Sequence, residues 1–248
     1  MDETTQQRTI PVAGMYNMRD LGGLPCQGGG MTQFGVFVRS DSPHALDAAQ
    51  QHQLIARGID TVLDLRSSQE CAVHPNPFAA QQAVQYVHVP LRATGLQAYD
   101  VRQITSIDRY YATLLNTAHR QFVDIFTALL QTQATALFHC RIGKDRTGIL
   151  TALILDAVGV PHDVIVADYA LTTANIVPLI AHYQAERPWY VRQRWYEGLF
   201  EAHARYMERF LVDLYQHHGG AAQFLATIGL PDAPTMLRHR LCAPVSRT

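Results

Sequence analysis

The stretch "HCRIGKDRTG", residues 139–148, crowds one cysteine, three basic residues and one acid into ten positions. It follows "ATALFHC" (134–140), which reads as a buried strand, and opens into "TGILTALILDAVG" (147–159), a helical stretch stopped by Gly159 and Pro161. The decad is therefore the strand-to-helix loop at the carboxyl edge of a sheet, where open α/β sheets bind their ligands. Gly143 lets the loop turn through backbone angles that other residues resist, and Arg146 stands six positions after Cys140 at the helix start. Such a loop wraps an anion. Its N–H groups and the helix N-terminus carry partial positive charge, and the Arg146 guanidinium holds two oxygens in a fork. The same field favours an anionic nucleophile at Cys140.

Outward from the loop, strand signals alternate with helical ones. "GVFVRS" (35–40), "IDTVLDLR" (59–66) and "VQYVHVPL" (84–91, stopped by Pro90) read as strands. "SPHALDAAQQHQLIARG" between the first two is a helix closed by Gly58. "IDRYYATLLNTAHRQFVDIFTALLQ" (107–131) keeps apolar residues at helical period and reads as a helical crossover. The order implies an α/β fold with a central, mostly parallel sheet flanked by helices. "VIVADYALTTAN" follows, and residues 176–215, rich in aromatics and charges around Pro188, read as a pair of helices that either cover the site as a lid or pack as extra layers. The segment 221–242 reads as two short helices joined at 229–232. We expect one domain over residues 1–248, with 1–13 a flexible tail.

Composition bounds the function. Hydrophobic residues make up 48% and charged residues 17%, with a net charge of −1, which gives an ordinary interior and no reason to expect nucleic-acid binding. The polar start predicts no secretory signal, and no apolar run approaches the ~20 residues that cross a bilayer, so stable membrane insertion is not expected. The cytoplasm is the default location. The four cysteines, Cys26, Cys71, Cys140 and Cys242, lack disulfide or zinc spacing, so no metal and no cofactor are expected. Cys26, in "PCQGGG", reads as a solvated loop residue, while Cys71 and Cys242 read as small buried hydrophobes. Cys71 as a reversible disulfide partner of Cys140 is the less favoured alternative.

The pattern His139, Cys140, Gly143, Arg146, Thr147, Gly148 resembles the signature loop of the cysteine-dependent protein tyrosine phosphatase superfamily. Lys144 and Asp145, giving "GKDRTG", narrow the likeness to its bacterial and fungal tyrosine and phosphoinositide phosphatase family. "YNMRDLGG" (16–23), "VFVRSD" (36–41), "VLDLRSSQE" (62–70), "VHVPL" (87–91), "ADYALT" (167–172) and "ATIGL" resemble that family's blocks in the same order. The resemblance implies that Cys140 attacks phosphorus to form a cysteinyl-phosphate that water then hydrolyses. Phosphate would lie against Arg141, Ile142, Gly143, Lys144, Asp145, Arg146 and Thr147. The Thr147 hydroxyl would bond the Cys140 sulfur, and His139 would orient the loop.

The general acid is harder to read. Relatives carry an aspartate some thirty to forty positions before the cysteine, a window that here holds Asp100, a loop residue, and Asp108, inside a helical pattern. Asp145 lies in the anion loop, where a neighbouring anion favours a protonated carboxyl, and it is the preferred acid. Asp64 is the second choice, with an ion pair to Arg66 or Arg19 as its alternative reading. "NMRDLGG" reads as a structural turn. Arg141 and Lys144 add positive charge suited to phosphoinositides, yet phosphotyrosine in protein comes first among expected substrates. The competing reading is a catalytically inactive module that binds a phosphorylated partner.

Overall fold

The computed structural model describes residues 3–93, 107–180 and 200–242. Four strands, β4 (Phe37–Ser40), β5 (Ile59–Asp64), β6 (Gln85–His88) and β7 (Thr135–His139), run parallel, and β1 (Arg19–Asp20) adds an antiparallel edge in the order β1-β4-β7-β5-β6. A separate ribbon pairs β2 (Pro25–Cys26) with β3 (Gly30–Met31). The sheet is mostly parallel, as expected.

The parallel strands are apolar on both faces, as sheets covered on both sides require. Phe37, Leu63, Ala136 and Phe138 point into one core, while Val38, Val62 and Leu137 point into the other. The larger core lies against helices α4 (Ile107–Thr117), α5 (His119–Gln131), α6 (Asp145–Ala157), α7 (His162–Asn175), α8 (Ala204–His218), α9 (Ala221–Thr227) and α10 (Ala233–Leu241). The smaller one is closed by α2 (Ala48–Ala56) and the chain around Val12, Met15 and Phe78. In α6 every residue except Asp156 is buried, so this helix is apolar nearly all round and runs through the middle of its layer. Strand β7 feeds it directly, which puts the 140–144 loop at the carboxyl edge of the central strand.

Several expectations need correction. Residues 3–13 are tied to the fold rather than forming a tail: α1 (Glu3–Arg8) ends in a buried arginine whose side chain donates to Asp20 O and pairs with Asp168. Cys26 is buried in β2 rather than solvated, with Gly28 and Gly29 making the turn beyond it at φ of +92° and +85°. The crossover is two helices, broken at Ala118, which is fully buried and sits at φ −104°, ψ 30°. Within the segment expected as a lid, residues 181–199 lie outside the described residues. Its later part, α8, packs Met207, Phe210, Leu211 and Leu214 into the core against α4 and α7 and is no lid. No helix among the described residues is long and apolar enough to cross a membrane.

Candidate active site

Cys140 follows directly on β7 and is buried at the bottom of the loop. The loop carbonyls are tied to the scaffold one after another. His139 Nδ1 lies 3.0 Å from Cys140 O, and Ser42 N donates to Arg141 O at 3.0 Å. Asn17 Nδ2 donates to Ile142 O at 3.0 Å and Gly143 O at 3.1 Å, and Arg39 Nη2 donates to Gly143 O at 2.8 Å. In a planar trans peptide the next N–H points opposite to the carbonyl. The N–H groups of residues 141–144 therefore turn away from these partners, the arrangement of an anion-binding nest. Gly143 is required twice over. Its φ is +70°, and a Cβ there would stand 2.4 Å from Ser40 O and 2.8 Å from Asp41 N. The loop can lie flush against the end of β4 only without that carbon.

Arg146, in the first turn of α6, is aimed by two residues. Its Nη1 donates to Glu70 Oε2 at 2.8 Å and to Leu65 O at 3.2 Å, and its Nη2 donates to Glu70 Oε1 at 2.8 Å. A guanidinium has five N–H donors in a rigid plane, so this paired contact fixes the whole fork, with the Nε edge the one not engaged by Glu70. Glu70 sits in α3 (Ser68–Val73), and the same carboxylate accepts from Ser67 N in a capping box. Burial opposes its charge, yet Arg146 outweighs that and holds the carboxyl down at about 2.

Beneath the loop, His139 is fixed by Asp64 and Asn76. Asn76 Nδ2 donates to Asp64 Oδ2 at 3.0 Å and meets His139 Nε2 at 2.9 Å, which leaves the His139 proton on Nδ1, facing Cys140 O. Burial keeps the imidazole below its usual value, against the pull of Asp64, so the ring is neutral. Asp64 itself takes the ion-pair alternative: Arg66 grips it through Nε and Nη2 at 3.0 and 2.6 Å, and Tyr86 OH donates at 3.1 Å. Burial works against this charge, but the Arg66 guanidinium and the hydrogen bond from Asn76 hold the carboxyl below the ordinary carboxylate range. A carboxyl held ionised in this way is a poor proton donor. Cys71 points its thiol at the same Asp64 oxygen, 3.6 Å away, and burial plus that carboxylate push the thiol up to about 11, unfavourable for disulfide exchange with Cys140.

Asp145 opens α6 on the other side of the loop. Tyr111 OH donates to its Oδ1 at 2.7 Å, and Lys144 Nζ lies 3.4 Å from the same oxygen. Lys144 is fully buried, with Nζ also 3.4 Å from Glu201 O, so its ammonium faces the interior. Arg141 is half-buried. Thr147 is buried, and its Oγ1 makes no hydrogen bond among the described residues, so the expected bond to the Cys140 sulfur is absent. Asp108 lies in the first turn of α4, and Asp100 falls outside the described residues. Among the described residues no group of three or more histidines, cysteines and acids is placed to hold a metal ion.

The "NMRDLGG" block supports the loop from below. Arg19 donates from Nε to Asp168 Oδ1 at 3.0 Å, Arg39 pairs with Asp168 Oδ2 at 2.6 Å, and Arg8 joins them. Asp20 accepts from Gly22 N and Gly35 N and so makes the turn. Glu70, Tyr111, Tyr169 and Asn76 were not singled out from the sequence. Only Glu70 carried a signal, the Ser67-x-x-Glu70 spacing, and that announces a helix start rather than a partner for Arg146.

The family profile described as "Tyrosine phosphatase family" matches residues 10–243. A tyrosine-protein phosphatase of Nostoc commune is 31% identical over 215 residues, 79% of this chain and 70% of that relative. The triple specificity protein phosphatase PtpB of Mycobacterium tuberculosis is 26% identical over 269 residues, 91% of this chain and 95% of that relative.

Proposed function

The chain belongs to the tyrosine phosphatase family, and we propose that it hydrolyses phosphate monoesters, phosphotyrosine in protein foremost, through a cysteinyl-phosphate. The Cys140 thiolate attacks phosphorus as the bond to the leaving oxygen breaks, and Asp145 gives that oxygen its proton. Water then attacks the cysteinyl-phosphate, Asp145 takes a proton from it, and the sulfur–phosphorus bond breaks to release phosphate and the thiolate. Arg146 and the amides of 141–144 hold the equatorial oxygens in both steps.

One observation carries this reading: every carbonyl from Cys140 to Gly143 is turned to the scaffold, around a buried cysteine and an arginine fixed by Glu70. An inactive phosphate-binding module is the weaker reading, because nucleophile and arginine are both present. Phosphoinositides are a second substrate class. The half-buried Arg141 supports them more than Lys144, whose ammonium faces Asp145 and Glu201. That PtpB is called a triple specificity phosphatase is a reason to test several classes together.

The test compares phosphate release by wild type and Cys140→Ser on a phosphotyrosine peptide, a phosphoserine peptide and phosphoinositide vesicles. We expect release to vanish with the substitution while ligand binding persists, and phosphotyrosine to rank first. Undiminished release by the serine variant, or activity that a chelator removes and a divalent metal restores, overturns the mechanism.

A further inference from the structure

We propose that Tyr111 and Tyr169 form a hydroxyl chain that positions Asp145, confining its transferable proton to the Oδ2 oxygen; this rests on the reading of Asp145 as the acid. Three helices bring the chain together: Tyr111 from α4, Tyr169 from α7 and Asp145 from α6. Tyr111 OH lies 2.7 Å from Asp145 Oδ1 and 2.7 Å from Tyr169 OH, and all three residues are buried. The two rings meet edge to face, with centroids 6.4 Å apart. Tyr169 reaches this position across Gly148, where a Cβ would stand 3.0 Å from its ring. The glycine of the "RTG" motif thus makes room for the second tyrosine.

The proton bookkeeping allows one useful arrangement. A hydroxyl donates once, so Tyr111 serves Asp145 only if Tyr169 supplies the hydrogen between the two phenols. The chain then runs Tyr169 to Tyr111 to Asp145 Oδ1. Lys144 Nζ, 3.4 Å from Oδ1, presents a second donor to the same atom. An oxygen facing two donors is a poor place for a carboxyl proton, so the acid form carries it on Oδ2. Burial first, and the neighbouring Asp145 next, push both phenols well above their usual value, so they stay neutral and orient the carboxyl without exchanging protons with it. Tyr111 and Tyr169 are in this sense positioning residues. With the acid placed at the end of the anion loop, this buried chain supplies its aim.

A positioning role predicts a dependence on leaving group that a merely structural role does not. General acid catalysis matters most for basic leaving oxygens and least for p-nitrophenolate. The test measures kcat/KM of wild type, Asp145→Asn, Tyr111→Phe and Tyr169→Phe on a series of aryl phosphates from p-nitrophenyl to phenyl. Melting curves are taken for each variant. We expect Tyr111→Phe to lose roughly tenfold on phenyl phosphate and less than about threefold on p-nitrophenyl phosphate, against the ~10²-fold or more that a full acid contributes. Tyr169→Phe should steepen the series in the same direction by less, and it carries the test if Tyr111→Phe does not fold. If Asp145→Asn steepens the series while the tyrosine variants lower all substrates equally, the positioning chain is wrong and the acid stands. If Asp145→Asn itself leaves the slope unchanged, the acid reading falls and takes the chain with it.

Discussion

The strands on either side of β7 both lead to a buried aspartate, and the two aspartates behave in opposite ways. Among the described residues, Asp41, which follows β4, accepts only from backbone N–H groups, such as those of Tyr16 at 3.2 Å and Asn17 at 3.0 Å, and burial pushes its carboxyl up to about 6. Asp64 ends β5, meets the guanidinium of Arg66, and is held below the usual range despite the same burial. Burial is common to both, so the partner decides the charge. The β4 flank has cations too, but Arg8, Arg19 and Arg39 all converge on Asp168. The β5 flank keeps its ionised groups next to the loop, where Asp64 fixes His139 through Asn76 and Glu70 fixes Arg146. One flank supports the loop mainly through the fold, the other through the electrostatics of the site.

The comparison breaks most severely at Asp168. Asp168→Asn leaves three buried guanidiniums without their shared anion, a change of about 3–5 kcal/mol in stability. Because Arg39 also holds Gly143 O, activity should fall together with the melting temperature. A variant that melts like wild type would mean the β4 flank is not held by this charge.

Asp41 offers the next largest effect, and its sign follows from its raised value. The carboxyl titrates near 3.8 unfolded and about 6 folded, so the folded chain binds the proton more tightly. Its contribution to stability is full below the unfolded value and is lost as pH rises toward 6, by about 3 kcal/mol in all. Asp41→Asn removes that dependence. Denaturant unfolding at pH 4 and pH 7 should show the variant gaining on wild type by about that amount; a difference that stays constant with pH would refute it.

These contrasts also mark what the sequence could reveal. The parallel strands were legible because both their faces are apolar, and the loop was legible because cysteine, glycine and arginine carry its chemistry at fixed spacing. Strands β1, β2 and β3 were not: each spans two residues, set by its partner rather than by propensity. The break at Ala118 has no breaker residue, and the apolar period runs on through it. Arg8 looks like part of a polar tail because its partner Asp168 is 160 positions away. Tyr111 reads as a core aromatic by spacing, and its ring is one, while the hydroxyl works at the site. Glu70 sits in a helix-start motif that is genuine and conceals its second contact.

That second contact sharpens the comparison with the smallest of the three effects. Glu70→Gln keeps an acceptor for Ser67 N and one Arg146 N–H but removes the charge and one arm of the paired contact. A hydrogen bond to a charged group is worth about 1.5–3 kcal/mol, so the loss at one arm corresponds to roughly ten- to a hundredfold. Glu70 is partly exposed in a helix that buries none of its residues, so this loss should appear in kcat/KM and scarcely in melting temperature. If the β5 flank acts on the site rather than the fold, Glu70→Gln and Asp168→Asn will separate on these two axes, one losing catalysis per folded molecule and the other losing folded molecules. A Glu70→Gln protein that melts early and retains full turnover while folded would erase the distinction between the flanks and return Glu70 to the scaffold.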